Sequence, residues 1–181
     1  MTKKKLSVAL IGAGRAGMIH ARNFKTSVPY AEITAVCDPV GTAAADAAAE
    51  LEIEKAYKDY NEVMNDSGID AVIIATPTKY HCEIAVAAAN AKKHILCEKP
   101  MAMTVEECNL MDNAAKQNGV KLQIAFMRRF DASFVEARRM IDGGEIGDVV
   151  MVRSNTRGPS IPKPWMYDIS KSNGPLAEVN S

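Results

Sequence analysis

The sequence predicts an α/β fold built on a doubly wound parallel sheet, followed by the start of a second α/β domain. Three observations carry this expectation. Through residue 126, short runs of Val, Ile and Leu alternate with longer, Ala-rich runs at helical spacing. That is the rhythm of strands covered on both faces by helices. The first apolar run leads directly into Gly12-Ala13-Gly14-Arg15-Ala16-Gly17, a turn that opens a helix. The second ends in Asp38, 21 residues beyond Gly17, where an acidic residue serves this kind of fold.

Taken in order, Leu6–Ile11 is a near-continuous apolar strand, Gly12–Gly17 a glycine loop and Met18–Lys25 the helix it opens. Glu32–Cys37 is the second strand and Thr42–Leu51 an Ala-rich helix. Lys55–Tyr57 reads as a short third strand and Tyr60–Asn65 as a short helix. Asp70–Ala75 (DAVIIA) is the fourth strand, Glu83–Asn90 a helix and His94–Cys97 the fifth strand. Val105–Asn118 is a helix stopped by Gly119, and Leu122–Phe126 the sixth strand. The rhythm then changes. Ala132–Ile141 is a helix closed by Gly143 and Gly144, Val149–Arg153 a strand, Arg157–Pro164 a proline-rich loop and Pro175–Ser181 strand-like. Residues 1–126 are therefore expected to form one domain. Residues 127–181 are expected to begin a second that is too short to build its own core.

Composition narrows the function. The chain has 181 residues, 22 basic against 22 acidic, and is 48% hydrophobic, which fits a globular protein of one domain, or one and a fragment. Zero net charge argues against a nucleic-acid partner. The longest apolar stretches, such as Ile84–Ala89, are about six residues, far short of the roughly 20 that a membrane span needs. No signal segment is evident, and a cytoplasmic location is expected. Cys37, Cys82, Cys97 and Cys108 have no metal-ligand or redox spacing, and His20, His81 and His94 are scattered. No metal site is expected, and buried reduced thiols are the simpler reading.

Four places carry chemistry. In the glycine loop, Gly12, Gly14 and Gly17 allow a tight turn, backbone approach to a pyrophosphate and close helix–strand packing. With Arg15 and Ala16 they present the helix N-terminus, with its free N–H groups, to the phosphates. Asp38 is placed to accept hydrogen bonds from an adenosine ribose and to repel a 2′-phosphate, which favours NAD over NADP. Thr76 and Pro77, after the fourth strand, line the cofactor crevice. His81 is a candidate contact there, although packing against a neighbour is its likelier use as a residue type. Glu98 and Lys99 close the fifth strand. Being adjacent on extended backbone they point to opposite sides, one toward the nicotinamide ribose and the other toward the substrate. Lys99 beside a cationic nicotinamide would lose proton affinity and could share its proton.

These residues together resemble the Gfo/Idh/MocA oxidoreductases, a family that includes glucose–fructose oxidoreductase and the inositol dehydrogenases. The resemblance rests on GAGRAG, Asp38, ATPT with His81, and above all KHILCEKP at Lys93–Pro100. The segment Ala125–Asp131 (AFMRRFD) is most like the inositol 2-dehydrogenase branch. The resemblance implies a Rossmann domain followed by an open-sheet domain used for substrate binding and homo-oligomer formation. It implies hydride transfer from a polyol, cyclitol or sugar carbon to NAD, with Lys99 catalytic and in contact with substrate, and Met127 and Arg128 lining the pocket. The family block GG-x-L-x-D-x-x-x-H is matched at its start by Asn173–Ser181, with Glu178 in the Asp place. The chain stops one position before the expected His, so it reads as the N-terminal part of a longer enzyme, inactive by itself. A non-catalytic dinucleotide sensor or interaction module is the alternative.

Overall fold

A computed structural model of the chain describes residues 5–155, 164–174 and 178. Six strands, β1 (Leu6–Ile11), β2 (Ala31–Cys37), β3 (Lys55–Tyr57), β4 (Ala71–Ile74), β5 (His94–Cys97) and β6 (Leu122–Ile124), form one sheet. Its order is β3-β2-β1-β4-β5-β6, with every neighbouring pair parallel. The connections run through α1 (Arg15–Ser27), α2 (Ala43–Leu51), α3 (Tyr60–Asn65), α4 (His81–Asn90) and α5 (Val105–Asn118). A last helix, α6 (Ala132–Asp142), follows the sheet.

The period-two alternation of β1 assigns the two faces. Val8 and Leu10 pack with Met18, Ala21, Ala44, Ala47 and Leu51 of α1 and α2. Ala9 and Ile11 pack with Val63, Ile84, Ala88 and Met111 of α3, α4 and α5. From Val8 to Ile11 both sides of the strand are buried, which is why it reads as a continuous apolar run rather than an alternating one. Each buried Leu, Ile or Val contributes about 1.5–3 kcal/mol of transfer free energy, so the sheet centre is where the fold is held. At the N-terminal ends of β4 and β5 the Lys93 side chain, 3% exposed, donates to the carbonyls of Asp66 and Ile69 at 2.8 and 2.9 Å. Burial lowers its pKa, and those two carbonyls supply the partners a buried ammonium needs.

Capping sets several boundaries. Thr104 and Glu107 form a capping box at the start of α5, Asp59 and Glu62 another at α3, and Gly119 closes α5 in the left-handed conformation. Some boundaries move from expectation. α1 begins at Arg15, directly on the glycine loop, α4 begins at His81 after a 3-10 turn (Thr78–Tyr80), and β6 ends at Ile124.

The expected strand Val149–Arg153 does not form. Val150, Met151 and Val152 are 96%, 83% and 81% exposed and unassigned to any ladder. The segment has β-forming side chains, but a strand exists only where a neighbour pairs with its backbone. Of the strand-like segment Pro175–Ser181 only Glu178 is described, and its backbone is helical; the rest lies outside the described residues, as do residues 157–163 of the expected proline-rich loop. α6 forms as expected but buries none of its residues.

Candidate cofactor and catalytic site

The strand order reverses at β1, which has β2 on one side and β4 on the other. In open α/β sheets the loops leaving the carboxyl ends of the strands part at such a reversal, and the crevice they leave is where ligands bind. Gly12 sits there at φ +98°, in a region closed to most side chains. A Cβ on Gly12 would lie 2.6 Å from the Ala75 carbonyl oxygen, and one on Gly17 would lie 2.0 Å from the Gly12 oxygen. Neither position has room for alanine. A Cβ on Gly14 would meet nothing within 4 Å, so the gap above it is free for a ligand.

Arg15 and Ala16 are exposed beside it, and Gly17 is buried under the helix. Gly14 caps α1 without a side-chain hydrogen bond, and the first turn has no acidic residue. Among the described α-helices α1 alone lacks both. Its first N–H groups and the positive end of its dipole are left facing the crevice, a ready anion site.

Asp38 closes one side. Its Oδ2 accepts from the Ala13 N–H at 2.8 Å and its Oδ1 from the Val40 N–H at 2.9 Å. The carboxylate thus braces the glycine loop, and each oxygen retains a lone pair for another donor. On the other side, Glu98 and Lys99 leave β5 in opposite directions. Glu98 Oε1 is 2.6 Å from His20 Nε2 of α1, and Oε2 accepts from the Lys99 N–H at 3.1 Å. Burial pushes the Glu98 carboxyl up, but the hydrogen bond and charge of His20, with the Lys99 N–H and ammonium, outweigh it and hold its pKa below the ordinary value. The Lys99 ammonium donates to the Glu178 carbonyl. Glu178 in turn accepts from the Thr78 hydroxyl at 2.8 Å through its carboxylate.

The family model for the Gfo/Idh/MocA oxidoreductases, described as an oxidoreductase family with an NAD-binding Rossmann fold, matches residues 6–126. The chain belongs to this family. Among its curated relatives, a scyllo-inositol 2-dehydrogenase (NAD(+)) of Bacillus subtilis is 44% identical over 154 residues, covering 85% of this chain and 45% of that protein. An inositol 2-dehydrogenase of Salmonella typhimurium is 40% identical over 149 residues, covering 81% and 44%. A solved structure of scyllo-inositol dehydrogenase from Lactobacillus casei with bound NAD(H) and scyllo-inositol is 34% identical at a TM-score of 0.76, covering 80% of this chain and 43% of that one. The chain spans about half the length of the curated relatives it matches.

The cofactor of this NAD-binding family fits the residues present. The open space over Gly14 and the uncapped start of α1 suit a pyrophosphate. Thr76 Oγ1, at the crevice, is the one buried side-chain polar atom without a partner among the described residues, and a buried hydroxyl costs free energy until a partner arrives. Pro77 beside it is exposed.

His81 does something else. It is 1% exposed, with Nδ1 2.8 Å from the Pro100 oxygen and Nε2 2.9 Å from the Thr76 oxygen. Both nitrogens are engaged, so His81 takes the packing role favoured for its residue type, a strut between the loops after β4 and β5, and not the candidate cofactor contact. The reason is register: His81 starts α4 on its buried face. Met127 and Arg128 follow β6 in a 3-10 turn. Met127 is 67% exposed, while Arg128 lies 3.4 Å from Asp131 and over the Phe134 ring. They stand past the carboxyl end of the strand beside β5, and among the described residues no hydrogen bond or ion pair joins them to Lys99.

His20 and Thr78 are the members of this constellation that sequence reasoning did not find. Their partners are 78 and 100 residues away, and no local spacing announces such a pair.

Proposed function

We propose that this chain is the cofactor-binding part of an NAD-dependent dehydrogenase that acts on a hydroxyl of a polyol, an inositol-like cyclitol or a sugar. The convergence of the open glycine loop, Asp38, Glu98 and Lys99 at the carboxyl ends of β1, β2 and β5 carries this reading. The loop and α1 hold the pyrophosphate, Asp38 takes the adenosine ribose, and Thr76 and Pro77 line the crevice. Bound NAD supplies the hydride acceptor. Lys99 is the catalytic residue: its ammonium contacts the substrate hydroxyl and takes part in the movement of that proton. Glu98 faces the nicotinamide ribose.

Residues 1–126 are the cofactor domain and 127–181 begin the substrate and oligomerisation domain, with Met127 and Arg128 toward the pocket. The inositol dehydrogenases among the relatives support the substrate class, and the placement of Lys99 beside the crevice favours an enzyme over a non-catalytic binding module.

The cofactor reading is tested by titrating the chain with NAD and NADP in a calorimeter. NAD binds more tightly, because the Asp38 carboxylate repels a 2′-phosphate; equal affinities, or a preference for NADP, refute it. The substrate class is tested by assaying the complete gene product against inositols and sugars. The 181-residue polypeptide has no histidine after His94, and it is expected to bind NAD without turnover.

A further inference from the structure

His20 lies in the second turn of α1 and Glu98 just past β5, and β4 lies between β1 and β5 in the sheet. A single hydrogen bond of 2.6 Å therefore ties the helix that opens on the phosphate site to the strand end that carries Lys99. The sheet explains why the two can meet. Leu96 packs in the cluster with α1 and α2, whereas Cys97 packs in the one with α3, α4 and α5. By alternation Glu98 falls on the α1 side. Both side chains are about three-quarters buried, at 23% and 22% exposure. This is no solvated surface pair, for which the net worth is small. It is a short contact in reduced dielectric, and a carboxylate there is stabilised by each N–H it accepts. Glu98 accepts two, from His20 on Oε1 and from the Lys99 backbone on Oε2. The carboxylate is pinned at both oxygens, and each retains a lone pair.

We infer that His20 is a positioning residue for the nicotinamide half of the cofactor: it holds the Glu98 carboxylate in place for the nicotinamide ribose hydroxyls and locks the Lys99 segment to the phosphate-binding helix. This rests on the reading of Glu98 given above. Without His20 the carboxylate keeps its burial cost and loses its strongest partner. It then turns away or takes up a proton, and the ribose loses its acceptor. The adenosine and pyrophosphate ends, held by Asp38 and the glycine loop, are untouched.

The test separates the two ends of the cofactor. His20→Leu and His20→Gln are made in the complete chain, thermal melts confirm folding, and NAD and ADP affinities are measured by calorimetry. ADP has the adenosine and pyrophosphate but no nicotinamide ribose. His20→Leu weakens NAD about ten-fold, the loss of one charge-assisted hydrogen bond, and leaves ADP within about two-fold. His20→Gln keeps a side-chain N–H and recovers most of the NAD affinity. Equal losses for NAD and ADP would mean that His20 merely packs α1, and unchanged NAD affinity in His20→Leu would mean that Glu98 needs no help; either result overturns the inference. A wild-type chain that binds ADP but gains nothing from the nicotinamide half would instead count against the placement of Glu98 itself.

Discussion

Lys99 and Glu98 show how much chemistry neighbouring positions can separate. One step along extended backbone sends Glu98 to His20 of α1 and Lys99 to the carbonyl of Glu178. The motif around them was visible in the chain, but their partners were not. Asp38 likewise stood out as a candidate ribose acceptor, but its contact with the glycine loop did not: the Ala13 N–H that it accepts is 25 residues away, and only the parallel pairing of β1 with β2 brings them together. For Lys99 the expected outcome is kinetic. Lys99→Ala in the complete gene product lowers kcat by about 10²-fold or more, the usual range for an acid–base group, while NAD affinity stays within a few-fold. A variant that turns over normally, or one that loses NAD and turnover together, would assign Lys99 to structure or to cofactor binding instead.

Asp66 joins several elements at once. It lies after α3, and its carboxylate reaches Lys55 at 2.5 Å and Tyr57 at 2.9 Å on β3 and the Gly68 N–H at 2.8 Å, while its carbonyl accepts from Lys93. The Lys55 hydrogen bond first, then the Gly68 N–H, lower its pKa to about 2. The unfolded value is about 3.9. A carboxyl depressed by folding stabilises the fold fully above its unfolded pKa and loses that contribution as pH falls through the folded one. The Asp66 contribution is therefore complete at neutral pH and disappears between about pH 4 and pH 2. Lys55 is 47% exposed, so solvent screens part of it, leaving about 1–2 kcal/mol. Urea unfolding of Asp66→Asn is expected to show that loss at pH 7 and a much smaller one near pH 2.5. An equal loss at both pH values would place the effect in packing and not in charge. Three residues of β3 form an edge strand that such links hold in place, and propensity alone would not have secured it.

The molecule divides by how its parts are buried. The centre of the sheet is covered on both faces, whereas α6 has no buried residue and keeps Phe134 and Val135 about half exposed. Local opening follows burial and contact density. Hydrogen exchange should therefore find the amides of Val8–Ile11 and Val72–Ile74 strongly protected and those of α6 weakly protected. Comparable protection in the two would show that α6 is held by more than the described residues supply. No helix among the described residues is long and apolar enough to cross a membrane.

Periodicity and glycine spacing were enough to foresee the sheet, its helices and the glycine turn that opens α1. These are local features: a buried parallel strand must be apolar on both sides, and a loop that lets a ligand approach must lack a Cβ. What needed the folded chain was every contact between elements. For His81 the sequence left two roles open, cofactor contact and packing, and its two nitrogens on the Thr76 and Pro100 carbonyls decide for packing. Val149–Arg153 looked like a strand because its side chains favour one, but pairing is a property of two segments and not of one. His20 carried no signal at all, since its role depends on a strand 78 residues away and on the sheet order that sets β5 within reach of α1. Local preference is written in neighbouring residues, whereas the partners of a buried charge are chosen by topology.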